Sequence, residues 1–308
     1  MTEMNVTELI LLLMEIPGVG GKTIETVLRR NATAGRSPNE FIALSASALQ
    51  DEYGLREDVS EKLSKISSPE LRRAETDFEW MSRRDVALIT VLDASYPIRL
   101  TNRLDDPPAA LFSYGSGHLL DGPLLAVANS NGANEHSLAA GDRSVESAVQ
   151  RGWSVVTGHN RVQYQRPALA ARRNEGRVCY VLDRGLIHGF GGDLTRELFP
   201  AARIWGPAYD PHTDLTLSPF GLRDHGIASN NRRRDTLVFA LADVIFAGEV
   251  RAGGQMESEC LAALKGGRPV YLISSEPNQA LIYAGASRLD VSSADLLDGA
   301  LSHSPTRK

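Results

Sequence analysis

The chain has 308 residues, of which 42% are hydrophobic, and its formal net charge is −5. This length predicts one large domain or two with a sizeable core, and the negative charge excludes a protein whose whole surface is basic, while it allows a local basic patch. No stretch reaches the ~18 consecutive apolar residues of a membrane span. The two cysteines, Cys179 and Cys260, make no disulfide framework or metal cluster. We therefore expect a cytoplasmic protein with buried thiols and with no metal, cofactor or membrane anchor.

Residues 1–84 are predicted to form a small all-helical domain, because their apolar residues recur at helical spacing. The segment EIPGVGGKT, Glu15–Thr23, interrupts this pattern and resembles a helix-hairpin-helix motif. Gly18 and Gly20 expose backbone amides that can hold one DNA phosphate, and Lys22 adds a positive charge. A tight turn without a ligand is the alternative. The 14 acidic and 11 basic residues of this region favour the turn.

A charged helix over residues 68–84 is predicted to lead into a second domain, residues 85–302, in which short apolar runs alternate with helices. This alternation predicts an α/β fold, with a mostly parallel, Rossmann-like sheet covered by helices on both faces. Residues 303–308 are predicted to form a disordered tail. The predicted strands are Val86–Leu92, Leu124–Ala128, Trp153–Thr157, Arg177–Leu182, Val244–Ala247 and Pro269–Ile273.

Ligands of parallel sheets bind at the carboxyl ends of the strands, so the residues that follow the predicted strands are candidate site residues. The loop after Val244–Ala247 leads into a helix predicted from Gln255 to the pair Gly266–Gly267. This loop can hold a phosphate through its amides, or it can be a turn only. In a third interpretation Glu257 or Glu259 accepts hydrogen bonds from ribose. The candidates at the strand ends are Asn129, Ser130, Gly158, His159, Arg251, Gly253 and Gly254.

Two arginine-rich stretches, residues 151–184 and 223–234, stand out in this acidic chain. They indicate one basic face that binds nucleic acid, although arginines scattered over solvated helices are the alternative. The residues assigned to this face are Arg161, Arg166, Arg232, Arg233 and Arg234.

Five segments of the chain carry motifs that occur in a fixed order: DASYPIRLTNRLDDPPAALFSYG, WSVVTGHN, VCYVLDRGL, RRRDTLVFALADVIFAGEV and NQALIYAGASRLDVSSADLLDGAL. Together, over roughly Tyr96 to Leu301, they resemble the DprA/Smf family of DNA-processing proteins. The core of that family is a Rossmann-like domain related to the LOG nucleotide hydrolases. The chain departs from the family at Asn129 and Ser130, which replace a glycine and an arginine, and at Ala252-Gly253-Gly254, which replaces Gly-Ser-Gly.

The resemblance implies a single-stranded DNA-binding protein that mediates DNA processing or recombination rather than an enzyme. It also implies a RecA-type recombinase as partner and a homodimer. The alternative is a LOG-like domain that binds or cleaves nucleotides as a sensor or effector in a defence or stress response. The catalytic glutamate of LOG enzymes falls in register on Cys260, one residue from Glu259, and this counts against that chemistry.

Overall fold

The computed structural model describes residues 3–199 and 209–289, which fall into two compact units. The N-terminal unit comprises Met1–Tyr96, Asp105–Ser113 and Pro219–Leu222, and the α/β unit comprises Pro97–Leu104, Tyr114–Ser218 and Arg223–Lys308. The N-terminal unit thus extends past residue 84. The predicted tail, residues 303–308, lies outside the described residues.

The N-terminal unit is helical up to Ser82, and its first strand begins at Val86, as the change of periodicity predicts. Residues Leu9–Leu13 are all buried, because their helix packs against several neighbours rather than against one face. The predicted helix over residues 68–84 is observed as Ser68–Ser82, with a Ser67–Glu70 capping box. The elements are α1 (Val6–Met14), α2 (Gly21–Ala34), α3 (Pro38–Ile42), α4 (Ala46–Tyr53), α5 (Glu57–Leu63), α6 (Ser68–Ser82) and β1 (Val86–Thr90).

Beyond β1, strands and helices alternate, which confirms the predicted α/β fold class. The elements are α7 (Ile98–Arg103), β2 (Ala110–Gly115), β3 (Leu124–Ala128), α8 (Glu135–Gln150), β4 (Ser154–Thr157), α9 (Val162–Arg173), β5 (Val178–Val181), α10 (Leu186–Phe190), β6 (Leu215–Ser218), α11 (Ala228–Leu241), β7 (Val244–Ala247), α12 (Gln255–Lys265), β8 (Val270–Ile273), α13 (Gln279–Tyr283) and β9 (Ser287–Leu289).

The strands of the α/β unit lie in the order β6-β5-β4-β3-β7-β8-β9, and every pair between β6 and β9 is parallel. Strands β3, β4, β5 and β7 are buried at every position, as expected of a sheet covered on both faces. Strands β4, β5 and β6 follow one another outward on one side of β3, whereas β7, β8 and β9 do so on its other side. The strand order therefore reverses between β3 and β7. In open α/β sheets, ligands bind outside the carboxyl ends of the strands at such a change of direction.

Six predicted strands are confirmed, with ends that shift by up to two residues, whereas β2, β6 and β9 were missed. Strands β6 and β9 are short and carry polar residues, so they contain no apolar run to recognise. Both cysteines are buried free thiols, as predicted, and burial raises the pKa of Cys179 to about 12. Within the described ranges no helix is both long and apolar enough to cross a membrane.

Candidate functional site

The crevice between β3 and β7, where the strand order predicts a ligand, is closed by the chain itself. Asn129, which is buried, accepts a hydrogen bond at Oδ1 from the Glu249 amide at 2.9 Å. Ser130 donates its amide to the Glu249 carbonyl at 2.8 Å, and its hydroxyl accepts from the Arg251 amide at 2.8 Å. A Cβ on Gly248 would overlap Asn129 Oδ1, so the close approach of the two loops requires a glycine there.

The carboxylate of Glu249 lies at the start of α8, where an external anion would otherwise be favoured by the helix dipole. It accepts from the backbone amide of Asn134 at 3.1 Å, from the side-chain amide of the same residue, and from the hydroxyl of Ser137 at 3.4 Å. The side-chain oxygens of Asn129 and Ser130 therefore hold two loops together, with partners of their own within the chain.

The loop Arg251–Gly254 is also satisfied internally, so the prediction that its glycine amides are open to a phosphate is wrong. The amide of Gly253 donates to Glu257 Oε2 at 2.7 Å, and the amide of Gly254 donates to the Arg251 carbonyl at 3.1 Å. Glu257 is itself buried in the first turn of α12 and takes the place of an anion there. The Arg251 side chain is exposed and has no hydrogen bond or ion pair within the described ranges.

The residues considered for LOG-like chemistry are engaged within the chain as well. Glu259 accepts from the Thr236 hydroxyl at 2.6 Å and from the Gln255 amide, and burial raises the pKa of its carboxyl group. Burial likewise raises the pKa of the Cys260 thiol. Neither side chain is presented to solvent as a free catalytic group.

A partly buried polar network lies at the carboxyl ends of β4 and β5. Asn160 donates through Nδ2 to Asp183 at 2.6 Å and to Asn231 at 2.9 Å, and Arg184 donates to Asp183 at 2.8 Å. His159 Nε2 lies 3.8 Å from Asp183, while its Nδ1 has no hydrogen-bond partner within the described chain. The network joins the start of α9 to the first turns of α11. Sequence reasoning singled out His159 here but assigned no role to Asn160 or Asn231.

Arg234 belongs to this network, so its predicted place on an exposed basic face is wrong. Its residue surface is 1% exposed, and its guanidinium donates to Asp235 and to Asn160, each at 2.8 Å. The guanidinium also lies over the ring of Tyr164, 4.1 Å from the centroid. Gly158 contributes close packing, because a Cβ there would lie 3.0 Å from the Arg234 side chain.

Arg166 is likewise not a free cation of a basic face. It donates to Glu135 at 2.8 Å and, through Nε, to Asp142 at 3.1 Å, and it thereby ties α9 to α8. The hydrogen bond that Arg166 donates to Asp142 raises the pKa of Arg166, as expected for a guanidinium held between two carboxylates.

Three of the predicted basic residues remain exposed, and the described residues offer them no hydrogen-bond or ion-pair partner: Arg161, Arg232 and Arg233. Arg161 precedes α9, and the other two lie in the first turns of α11. Neither helix has an acidic residue in its first turn or a side-chain cap. We call this surface, formed by the three arginines and the first turns of α9 and α11, the α9–α11 edge. Its free amides and positive charge suit a bound anion.

The predicted hairpin residues lie together in the N-terminal unit. Gly18 has a φ of +86°, and the guanidinium of Arg56 fills the space where a side chain would stand. Gly18, Lys22 and Arg56 line a cavity of about 200 Å³. Gly20 caps α2 without a side-chain bond, and the first turn of α2 has no acidic residue. Arg56 also pairs with Asp58 at 2.7 Å, which offsets part of the local positive charge.

Within residues 3–199 and 209–289, no three His, Cys, Asp or Glu side chains are placed to hold a metal ion together.

The buried imidazole of His159 predicts a loss of stability in acid. Burial lowers its pKa from 6.5 to about 4, and the nearby Asp183 carboxylate opposes this only in part. Because the unfolded chain takes up the proton first, the free energy of unfolding should fall by up to about 3 kcal/mol as the pH drops through this window. Urea denaturation at about pH 7 and about pH 4.5 measures this loss. His159→Gln should show a smaller loss, and an equal loss in both proteins contradicts the assignment.

The fold places the chain among α/β proteins with a Rossmann-like parallel sheet and an N-terminal helical region. No protein-family model and no curated protein matches the sequence. Among solved structures, DNA processing protein A (DprA) from Streptococcus pneumoniae is similar, with a TM-score of 0.74 and 20% identity over 99% of this chain and 100% of that chain. DprA from Helicobacter pylori, solved to explain its single-stranded DNA binding mode, has a TM-score of 0.55 and 17% identity over 72% of this chain and 97% of that chain. The chain therefore has a DprA-type fold, as the resemblance in sequence predicts.

Proposed function

We propose that this chain is a single-stranded DNA-binding protein of the DprA type, which acts in DNA processing or recombination. The observation that carries this proposal is the α9–α11 edge. Three exposed arginines without a partner in the described chain lie there beside two helix N-termini without acidic residues. A nucleic acid backbone offers the regularly spaced anions that such an edge can bind. The DprA-type fold supports the same function, because the Helicobacter pylori protein binds single-stranded DNA.

Two further contacts belong to the proposal. The exposed side chain of Arg251 lies in the loop after β7, at the same carboxyl edge of the sheet, and adds a positive charge that contacts a phosphate of the bound strand. The hairpin of Gly18, Gly20 and Lys22 holds one more phosphate through the amides at the start of α2. We also propose a cytoplasmic homodimer that hands DNA to a RecA-type recombinase, as the family resemblance implies.

Binding to a labelled single-stranded oligonucleotide, followed by fluorescence anisotropy, tests this function. We expect saturable binding that an unlabelled single strand competes away, whereas free mononucleotides leave the complex intact, because one mononucleotide cannot bridge several cations. Competition by a free mononucleotide at similar concentration, or its cleavage, would contradict the proposal and support the LOG-like alternative.

A further inference from the structure

Two histidine rings lie against each other, in a tilted arrangement, beside the α9–α11 edge. His188 lies in α10, which follows β5, and His225 lies three residues before α11. Their ring centroids are 3.8 Å apart, with an interplanar angle of 35°. His188 is half-buried, whereas His225 is exposed, so the inner ring supports an outer ring that solvent reaches.

The position of this pair is fixed by the polar network beneath it. The loop after His225 lies on the guanidinium of Arg184, since a Cβ on Gly226 would lie 2.8 Å from Nη2. Arg184 is bonded to Asp183, which accepts from Asn160, the residue before Arg161. The outer imidazole is therefore connected through a short chain of contacts to the cations of the edge.

Exposed apolar side chains lie at the starts of both helices of the edge. Val162, the first residue of α9, is 60% exposed, and Ile227, the cap of α11, is 59% exposed. Large exposed apolar residues beside arginines suit a ligand that carries both negative charges and exposed planar rings. A single strand is such a ligand, because its bases are unpaired and every base has a π-face that stacks on aromatic rings. A duplex keeps its bases stacked on one another and offers mainly its phosphates.

We propose that His225, supported by His188, stacks on an unpaired base and makes the α9–α11 edge select single strands over duplex DNA. This inference rests on the proposed function and adds the residue that distinguishes single-stranded from duplex DNA. Arginine–phosphate contacts alone do not supply that selection, because both forms of DNA carry phosphates. Burial and the neighbouring His225 lower the pKa of His188. The inner ring is therefore neutral at mildly alkaline pH, and a measurement there reports stacking without a contribution from a charge on His188.

The test compares a single-stranded oligonucleotide with an abasic strand of the same length, at about pH 8. We expect His225→Ala to weaken binding of the normal strand about tenfold, which is within the range for loss of one stacked base, and to leave abasic binding unchanged. His225→Phe keeps a flat ring and should restore most of the affinity. His118→Ala, at a histidine whose side chain is 95% exposed, is the control and should have no effect.

The outcomes separate this inference from the function on which it rests. If His225→Ala weakens both strands equally, or weakens neither while the wild-type protein binds, the stacking role is wrong and the DNA-binding function stands. If the phenylalanine variant binds as poorly as the alanine variant, stacking is also rejected. If the wild-type protein binds neither strand, the proposed function fails, and the stacking role fails with it.

Discussion

Replacing Arg234 by methionine is expected to lower the free energy of unfolding by about 3–5 kcal/mol. The change removes the bonds to Asp235 and Asn160 and leaves a buried carboxylate without its cation. Burial already raises the pKa of Asp235, and Arg234 is the main charge that opposes this increase. Without Arg234 the carboxyl group is left in an unfavourable environment. Urea denaturation followed by circular dichroism measures the loss.

The matched control for Arg234→Met is Arg232→Ala, a change in the same arginine run at an exposed position. It should alter the free energy of unfolding by less than about 0.5 kcal/mol. The double variant Arg234→Met, Asp235→Asn should recover part of the loss, because no buried charge is left alone. A loss below about 1 kcal/mol for Arg234→Met would show that the arginine is not held in the buried network.

Replacing Arg161, Arg232 and Arg233 together by alanine is expected to weaken single-stranded DNA binding roughly 100-fold while the protein stays folded. The three side chains are exposed and have no partner in the described chain, so the fold does not depend on them. Their loss removes the charges that the proposed function assigns to the phosphates. Binding is measured by fluorescence anisotropy, and folding by the thermal transition.

A second triple variant removes the same amount of charge from the opposite edge of the sheet: Arg173, Arg177 and Lys265 replaced by alanine. These exposed residues lie at the ends of α9 and α12 or just before β5, at the amino ends of the strands. Their loss should change affinity by no more than about threefold, through net charge alone. Equal weakening by both triple variants would mean that DNA responds to total charge rather than to the α9–α11 edge.

The sheet could be predicted from the sequence because apolar runs flanked by turns mark buried parallel strands. The central strands Leu124–Ala128 and Val244–Ala247 were predicted with their observed bounds. Strand β6, with the sequence LTLS, has no such run, and its place in the sheet depends on tertiary pairing with β5. Local periodicity carries no information about pairing of this kind.

The candidate site was harder to predict, because charge alone does not tell an exposed arginine from a buried one. Arg234 is three and four residues from Leu237 and Val238, which are buried, so helical spacing could have marked it as buried too. The run of three arginines concealed this pattern. The partners of Arg166 could not be predicted from sequence spacing, because Glu135 and Asp142 lie on another helix. For Gly253 the partner, Glu257, is close in the sequence, but its orientation was left open.

The salt dependence of single-stranded DNA binding tests the central claim most directly. The logarithm of the affinity should fall linearly with the logarithm of the salt concentration, with a slope of about −0.7 for each phosphate neutralised. Relative to the wild-type protein, the slope of the Arg161, Arg232, Arg233 variant should therefore be less steep by about 2, whereas the slope of the Arg173, Arg177, Lys265 variant should be unchanged. Identical slopes for all three proteins, or no saturable binding by the wild-type protein, would contradict the assignment of the α9–α11 edge as a DNA-binding surface.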